Sequence, residues 1–251
     1  MTSAWWTFWI SAGLVAYCYA VYPLLALLLA RLFPRPVRRG DAVPSASVLI
    51  PALNEERVIA AKIENTLALD YPPEKIEVLV ISDGSTDRTA EIARRYAGRG
   101  VGVVEFAERR GKLRALLEVV PRARGEILVF SDASGMLRPG SLRAMASDFS
   151  DPSVGGVCGY YRSPGLQREG RLGELIYWEY EFAIKRAQSR WATLLGATGA
   201  MYALRRELFV PPPPGTINDD FVIPALMVAR GGRMVLEEGA VVDDLDPRMG
   251  D

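Results

Sequence analysis

The side chains able to do chemistry fall into short polar clusters. They are Asn54-Glu55-Glu56, Asp83-Gly84-Ser85-Thr86-Asp87, Asp132-Ala133-Ser134 and Asn218-Asp219-Asp220, with Lys112 in the run RRGKLRAL. Histidine is absent from the 251 residues. That excludes a Ser-His-Asp triad, a His-ligated zinc and an imidazole base. Acid–base or metal chemistry must therefore use carboxylates, hydroxyls, Lys, Arg or backbone groups. A hard divalent ion such as Mg²⁺ or Mn²⁺ suits that set, because it takes one or two carboxylates together with substrate phosphates. Cys18 and Cys158 are too few and too far apart for a disulfide framework or an all-cysteine zinc site, and they fit a reducing compartment. Lys plus Arg and Asp plus Glu number 30 each, and the sequence pI near 6.5 gives no electrostatic case for a nucleic-acid partner.

Every cluster also has a plain structural reading. Ser85, Thr86 and Asp87 are ordinary helix caps, able to accept from free N–H groups at a helix start. Asp219 and Asp220 follow the loop at 211–215 and complement the dipole of a helix beginning there. Lys112 fits a solvated helix face, and the run Gly196-Ala197-Thr198-Gly199-Ala200 fits close packing. The functional readings differ in kind. Gly84 lets a backbone approach a ligand, and an acid such as Asp83 at a strand end can hold a ribose or a base edge. Asp132 follows the apolar ILVFS, where a carboxylate is costly unless it leaves the sheet for solvent or a cation. Lys112 can contact a phosphate, and small residues at 196–200 can leave room for a sugar.

The elements that must position these clusters alternate along the chain. Strands are read at 47–52, 76–82, 101–106 and 126–131. Helical stretches separate them, ending near Leu69 and Ala97, then covering GKLRALLEV, with a further helix from about Pro139. Apolar strands separated by helices signal a mostly parallel, doubly wound α/β sheet covered on both faces. Ligands of such sheets bind beyond the carboxyl ends of the strands. Pro51 to Glu56, Asp83 to Asp87 and Asp132 to Ser134 all fall at that edge.

Ahead of this domain, the run from Ala4 to Ala30 contains no charged residue. A hydrocarbon core of about 30 Å needs about 20 apolar residues, so the run is long enough to span it with some tilt. Trp5, Trp6 and Trp9 stand at one end, and Arg31, Arg35, Arg38 and Arg39 follow the other. The positive-inside rule then predicts a single span of the cell membrane over residues 1–33. A lipid-hugging, Pro- and Arg-rich linker is expected over 34–46, and a cytoplasmic catalytic domain over 47–251. Pro23 is expected to kink the span. A cleaved signal peptide finds no support, since no basic region precedes the apolar run.

The runs SVLIPALNEE, ISDGSTD, GKLRAL, FSDAS, YWEYE, GATGAMYALRREL and NDD occur in an order that resembles one family. It is the family 2 glycosyltransferases of the GT-A type, membrane-associated and similar to the hyaluronan, chitin and cellulose synthases. The resemblance runs from Ser47 to about Asp246. It implies a Rossmann-like GT-A fold and inverting transfer of a sugar from a nucleotide-sugar, usually UDP-linked, to a glycan or lipid acceptor. By position, it implies that Pro51, Ala52, Asn54 and Glu55 line the nucleotide pocket, that Asp83 holds the uracil or ribose, and that Lys112 assists at the diphosphate. Asp132 matches the first acid of the family's D-x-D metal motif, whose third position here is Ser134. Asp220 matches the general base, with Asp219 as runner-up. Glu179, Glu181, Gly196, Ala197, Thr198 and Gly199 are implied on the acceptor side.

In polymerising members a Q-x-x-R-W motif and further membrane helices follow the catalytic acid, and this sequence reaches Asp251 without them. Gln188-Ser189-Arg190-Trp191 is one residue short and precedes the acids. A translocating polymerase would then need a homo-oligomer or a partner subunit in the membrane. The rival reading is a non-catalytic nucleotide-sugar-binding or scaffold subunit of a glycan-synthesis complex. It keeps the fold and lacks turnover, so divalent-ion-dependent release of UDP separates the two. A nucleotidyltransferase would place a Gly-rich phosphate loop where Asn54-Glu55-Glu56 stands.

Overall fold

The apolar N-terminal run folds as one helical rod from Ser3 to Leu32, with a mean hydropathy of 1.9 in its most apolar window. It consists of α1 (Ser3–Ala16), a π turn (Tyr17–Val21) and α2 (Tyr22–Leu32). Pro23 accounts for the π turn. Proline lacks an N–H donor and crowds the carbonyl four residues back, here within the widened turn. At 1.5 Å per residue the rod is about 45 Å long, more than a bilayer core of about 30 Å requires. Its second half docks on the domain. Pro23, Ala26 and Ala30 are buried, the alanines packing with Ala187 and Trp191. The Tyr180 hydroxyl donates to the Tyr19 carbonyl at 2.8 Å, and the Gln188 amide reaches the Tyr22 hydroxyl.

The computed structural model describes residues 3–163 and 170–244. After α2 the chain has no regular structure until Ala46, yet it does not run free along a lipid surface as its composition suggests. The Arg35 N–H donates to the Arg190 carbonyl, and the Arg38 N–H donates to the Asp151 carboxylate. Arg39 pairs with Asp148 and Glu237, side chains only 1% and 8% exposed. Buried carboxylates of that kind need a cation, and the linker supplies it.

Both faces of the central strands are apolar, and successive side chains alternate between them. Along β1 (Ala46–Ala52), Val48 and Ile50 join one buried cluster while Leu49 joins another. β2 (Ile76–Asp83) repeats the pattern, with Val78 and Val80 opposed to Leu79 and Ile81. One cluster is closed by α3 (Ile59–Leu67), α4 (Thr89–Arg94) and α6 (Ser141–Asp148). The other is closed by α5 (Lys112–Val119), α7 (Leu172–Trp191) and α8 (Asp219–Ala229).

The remaining strands are β3 (Val101–Phe106), β4 (Ile127–Ser131), β5 (Gly135–Leu137), β6 (Val154–Arg162), β7 (Met201–Arg205) and β8 (Arg233–Asp244). Among the described residues they form an eight-stranded sheet in the order β3-β2-β1-β4-β7-β6-β8-β5. β3, β2, β1 and β4 are parallel, as the alternating pattern predicts. The other half is mixed: β7 runs antiparallel to β4 and β6, and β5 runs antiparallel to β8. That reversal matters for the site. Because β7 is antiparallel, its first residue, Met201, pairs with Ser131 at the end of β4. The small-residue run 196–200 is thereby delivered to the edge where Asp132 emerges.

Candidate active site

The carboxyl ends of β1, β2 and β4 enclose a cavity of about 310 Å³ lined by Pro51, Ala52, Glu55, Asp83, Arg109 and Lys112, with Asp132 and Ser134 at its far wall. Asp83 is 4% exposed, and both of its oxygens are engaged. Oδ1 accepts from the Arg110 N–H at 2.7 Å and Oδ2 from the Gly111 N–H at 2.8 Å. Gly111 permits this with φ of 92°, which turns two successive amides toward one anion. Asn54 adopts φ of 58°, a left-handed conformation that Asn tolerates better than most residues. Its Oδ1 accepts from the Thr86 N–H at 2.8 Å, so it braces the neighbouring loop. Burial, then Asp87 and Asp132, push the Glu55 carboxyl above its ordinary value.

Beyond Asp132 lies a second cavity of about 750 Å³. Its walls include Glu181, Gly196, Ala197, Thr198, Gly199 and Asp220, together with the aromatic rings of Tyr161, Tyr177 and Trp178. Asp132 and Ser134 line both cavities. The Ala197 N–H donates to the Asp220 carbonyl at 2.8 Å, fixing the 196–200 run to the first turn of α8. Gly199 leaves the site little spare room. A Cβ at that position would stand 3.0 Å from the Asp220 Oδ2 and 3.7 Å from the Asp132 Oδ2, so these carboxylates flank one point.

Lys112 sits between the acids. Its Nζ is 2.8 Å from the Asp132 Oδ1 and 3.9 Å from the Asp219 Oδ2. Burial pulls its pKa down, but Asp132, Asp219 and Asp220 together hold it above the ordinary lysine value. Burial, then Asp219, raises the Asp220 carboxyl, and Lys112 opposes that rise. Among the described residues no three acids, cysteines or histidines converge. The protein itself offers the Asp132 carboxylate and the Ser134 hydroxyl. These hard oxygen donors fit Mg²⁺ or Mn²⁺ where substrate phosphates supply the other positions.

A sequence profile for glycosyl transferase family 2 matches residues 47–210. The chain belongs to that family. It is 26% identical over 221 residues to an N-acetylglucosaminyltransferase of Azorhizobium caulinodans, a match covering 81% of this chain and 55% of the relative. It is 36% identical over 120 residues to a beta-monoglucosyldiacylglycerol synthase of Nostoc, covering 46% of this chain and 26% of that protein. The chain thus spans about half, or less, of the length of these curated relatives. Among solved structures it resembles the mannosyltransferase PcManGT of Pyrobaculum calidifontis in complex with GDP-Man and Mn²⁺. The TM-score is 0.77 and the identity 27%, over 95% of this chain and 69% of that one.

Most of the residues expected for a family 2 glycosyltransferase line one cavity or the other, with Asp132 and Ser134 shared. Pro51, Ala52, Glu55, Asp83 and Lys112 line the small one; Glu181, Gly196 to Gly199 and Asp220 line the large one. Asp219 lines neither and faces Lys112. Two further expected residues line neither cavity. Asn54 braces the 85–86 loop beside the small one. Glu179 meets the Tyr160 hydroxyl at 3.5 Å, because the face of α7 turned to the large cavity carries Trp178, Glu181, Lys185 and Gln188 at helical spacing. The end of the VVDDLDP run, at 245–247, lies outside the described residues, although Asp244 lines the large cavity.

Sequence reasoning missed Arg109, the Tyr202 hydroxyl and Lys62. Tyr202 is 1% exposed and stacked on Phe130, and its hydroxyl has no hydrogen-bond partner among the described residues. Lys62 is wholly buried, and burial lowers its pKa to about 7 while Asp132 opposes that fall. The only signal was its place at the apolar positions of α3, in step with Ile59, Ile63 and Thr66.

Proposed function

We propose that this chain is a membrane-anchored, inverting glycosyltransferase that moves a sugar from a UDP-sugar to an uncharged hydroxyl on a glycan or lipid. One observation carries the reading: Asp132 and Ser134 form the common wall of two cavities, with the Asp220 carboxylate facing that wall from the larger one. A donor in the small cavity and an acceptor in the large one would meet there, on opposite sides of the anomeric carbon.

The nucleotide would lie against Pro51, Ala52, Glu55 and Asp83, and the diphosphate would face Lys112, Asp132 and Ser134. A divalent ion held by Asp132 and Ser134 would neutralise charge on the leaving diphosphate. Lys112 adds a fixed cation at the same place. On the other side, Asp220 takes the proton from the acceptor hydroxyl as the new C–O bond forms. A carboxylate is far too weak a base to remove it beforehand, and its raised pKa narrows that gap. The C–O bond to the diphosphate breaks, and configuration at the anomeric carbon inverts.

The charged residues lining the large cavity are Asp132, Glu181, Asp220 and Asp244 against Lys185, and Lys185 is itself paired with Glu181 at 2.7 Å. An anionic acceptor is disfavoured there, and a sugar ring or neutral headgroup beside Trp178 and Tyr177 is favoured. The rod Ser3–Leu32 supports anchoring: α1 and the π turn suffice to cross, while α2 rests on the domain. The basic linker residues support a cytoplasmic orientation of the domain by the positive-inside rule.

The test is a panel of UDP-GlcNAc, UDP-glucose and GDP-mannose with Mn²⁺ or Mg²⁺, scored by released nucleotide. Release that requires the ion, and rises with an added hydroxyl acceptor, is the expected result. Binding without release from any donor would instead favour the non-catalytic subunit.

A further inference from the structure

Helix α3 clamps the turn that presents Asp132. Lys62 is 0% exposed, and its Nζ donates to the Ser131 Oγ at 2.7 Å and to the Gly135 carbonyl. These two partners are the residues on either side of Asp132-Ala133-Ser134. One turn further along α3, the Asn65 amide pairs with the backbone of Leu137 in both directions, each bond at 2.8 Å. The Ser131 Oγ in turn donates to the Ala200 carbonyl at 3.1 Å. A continuous chain of bonds therefore runs from Lys62 through Ser131 to the small-residue run that carries Gly199.

Such a lysine is expensive. Withdrawing an ammonium from water is costly, and neutral hydrogen-bond partners repay only part of that cost. A methionine or leucine at this position would cover the same apolar surface without the penalty. The bonded partners show what the penalty achieves. Both lie on the turn common to the two cavities, and Ser131 reaches the opposite cavity wall at Ala200.

We propose that Lys62 is a positioning residue for sugar transfer, holding the 131–135 turn closed and, through Ser131, setting the distance between Asp132 and the 196–200 wall. This rests on the transferase reading above. Asn65 serves as the internal comparison, because it clamps the same segment at Leu137 without touching the Asp132 turn.

The experiment compares Lys62→Met, Ser131→Ala, their double variant and Asn65→Ala in the full chain. Turnover and donor KM are measured beside thermal midpoint. Misplacement of reacting groups by an ångström can cost about 100-fold, so Lys62→Met is expected to lower kcat by about 10- to 100-fold. Donor KM should change much less. Ser131→Ala should lower kcat by less, and the double variant should be no worse than Lys62→Met alone, since both cut one chain of bonds. Asn65→Ala should lose thermal stability while keeping most of its kcat. Wild-type turnover in folded Lys62→Met overturns the proposal, as does an equal kcat loss in Asn65→Ala at equal loss of stability. If Lys62→Met does not fold, Ser131→Ala decides alone: reduced kcat at an unchanged thermal midpoint supports the proposal, and unchanged kcat overturns it.

Amide hydrogen exchange keeps this separate from the transferase reading. Lys62→Met should lose protection at 131–137 and at 199–201 together, whatever the wild-type chain does with nucleotide-sugars. Loss at neither segment overturns the positioning role. An inactive wild type with both losses refutes the transferase and leaves the linkage standing.

Discussion

The two sides of the cleft are built differently. On the proposed donor side the loops are tied to one another: Asp83 to the amides of Arg110 and Gly111, Asn54 to Thr86, the Glu55 N–H to the Thr89 hydroxyl at 2.8 Å, and the Glu56 N–H to Asp87 at 3.0 Å. The cavity these loops leave is about 310 Å³. On the acceptor side the cavity is about 750 Å³, and its walls include Leu195 and Phe221, which are 54% and 47% exposed. The small cavity is braced chiefly through backbone amides; the large one is braced through side chains, as in Lys185 to Thr198 at 3.0 Å and Tyr161 to Asp244 at 2.9 Å, around a wider aromatic and acidic opening. Preorganisation limits the entropy lost on binding. On the proposed function, the small cavity would then suit one shape of donor, and the wider one would admit a broader range of hydroxyl acceptors.

The sharpest way to break this division is to remove the acid that belongs to the acceptor side. Asp220→Asn should reduce turnover by about 10²–10⁴-fold, the range typical of a lost positioned base. Nucleotide affinity, read by calorimetry, should be unchanged. Loss of nucleotide binding in that variant would mean that the cavities are not functionally separate. Asp132→Asn is next. It touches both cavities, so turnover should fall by about 10²-fold and the Mn²⁺ dependence of UDP binding should weaken with it. A variant that kept its ion dependence would remove Asp132 from the metal site.

Two smaller effects sharpen the acceptor side. Gly199→Ala places a methyl group 3.0 Å from the Asp220 Oδ2, so kcat should drop by about tenfold with donor KM unchanged. Trp178→Ala removes a ring from the large cavity, where it packs against Tyr161 with centroids 4.8 Å apart. A lost aromatic contact of about 0.5–1.5 kcal/mol raises acceptor KM by about two- to twelvefold. Donor KM is the control in both cases, and a change confined to it would contradict the division.

The same division explains what could be read from the sequence. Asp83 and Asp132 were legible because each follows an apolar strand, where a carboxylate must lie at the carboxyl edge of the sheet. Asp220 was legible only by likeness of motif, and it lies beyond the profile match, which ends at residue 210. Its place opposite Asp132 depends on a bond from Ala197 to the Asp220 carbonyl, and the reversed direction of β7 brings Ala197 to that edge; no local pattern announces either. Glu179 and Glu181 stand two apart on one helix, and only the packing of α7 decides which faces the cavity. Lys62 was not singled out, since its partners at 131 and 135 are remote in sequence and its one local mark is a place among the apolar positions of α3. The linker misled in the opposite sense: Arg39 reads as a lipid contact until Asp148 and Glu237 are found beneath it.

The smallest effect tests the electrostatics at the boundary itself. As a base, Asp220 works only when ionised, so turnover must fall as pH drops through its pKa. Burial and Asp219 raise that pKa, which places the acid limb of the rate profile above the ordinary aspartate range of about 4. Asp219→Asn removes a like charge, eases ionisation of Asp220, and should move the limb to lower pH. Lys112→Met removes the opposing cation and should move it to higher pH, even though that variant also loses turnover on the donor side. The midpoint is read from profiles normalised to each variant's own plateau, so loss of rate does not obscure it. Opposite displacements place Asp220 between the two charges as the titrating base. Displacements of the same sign, or none, would assign the limb to another group and detach Asp220 from the proton transfer.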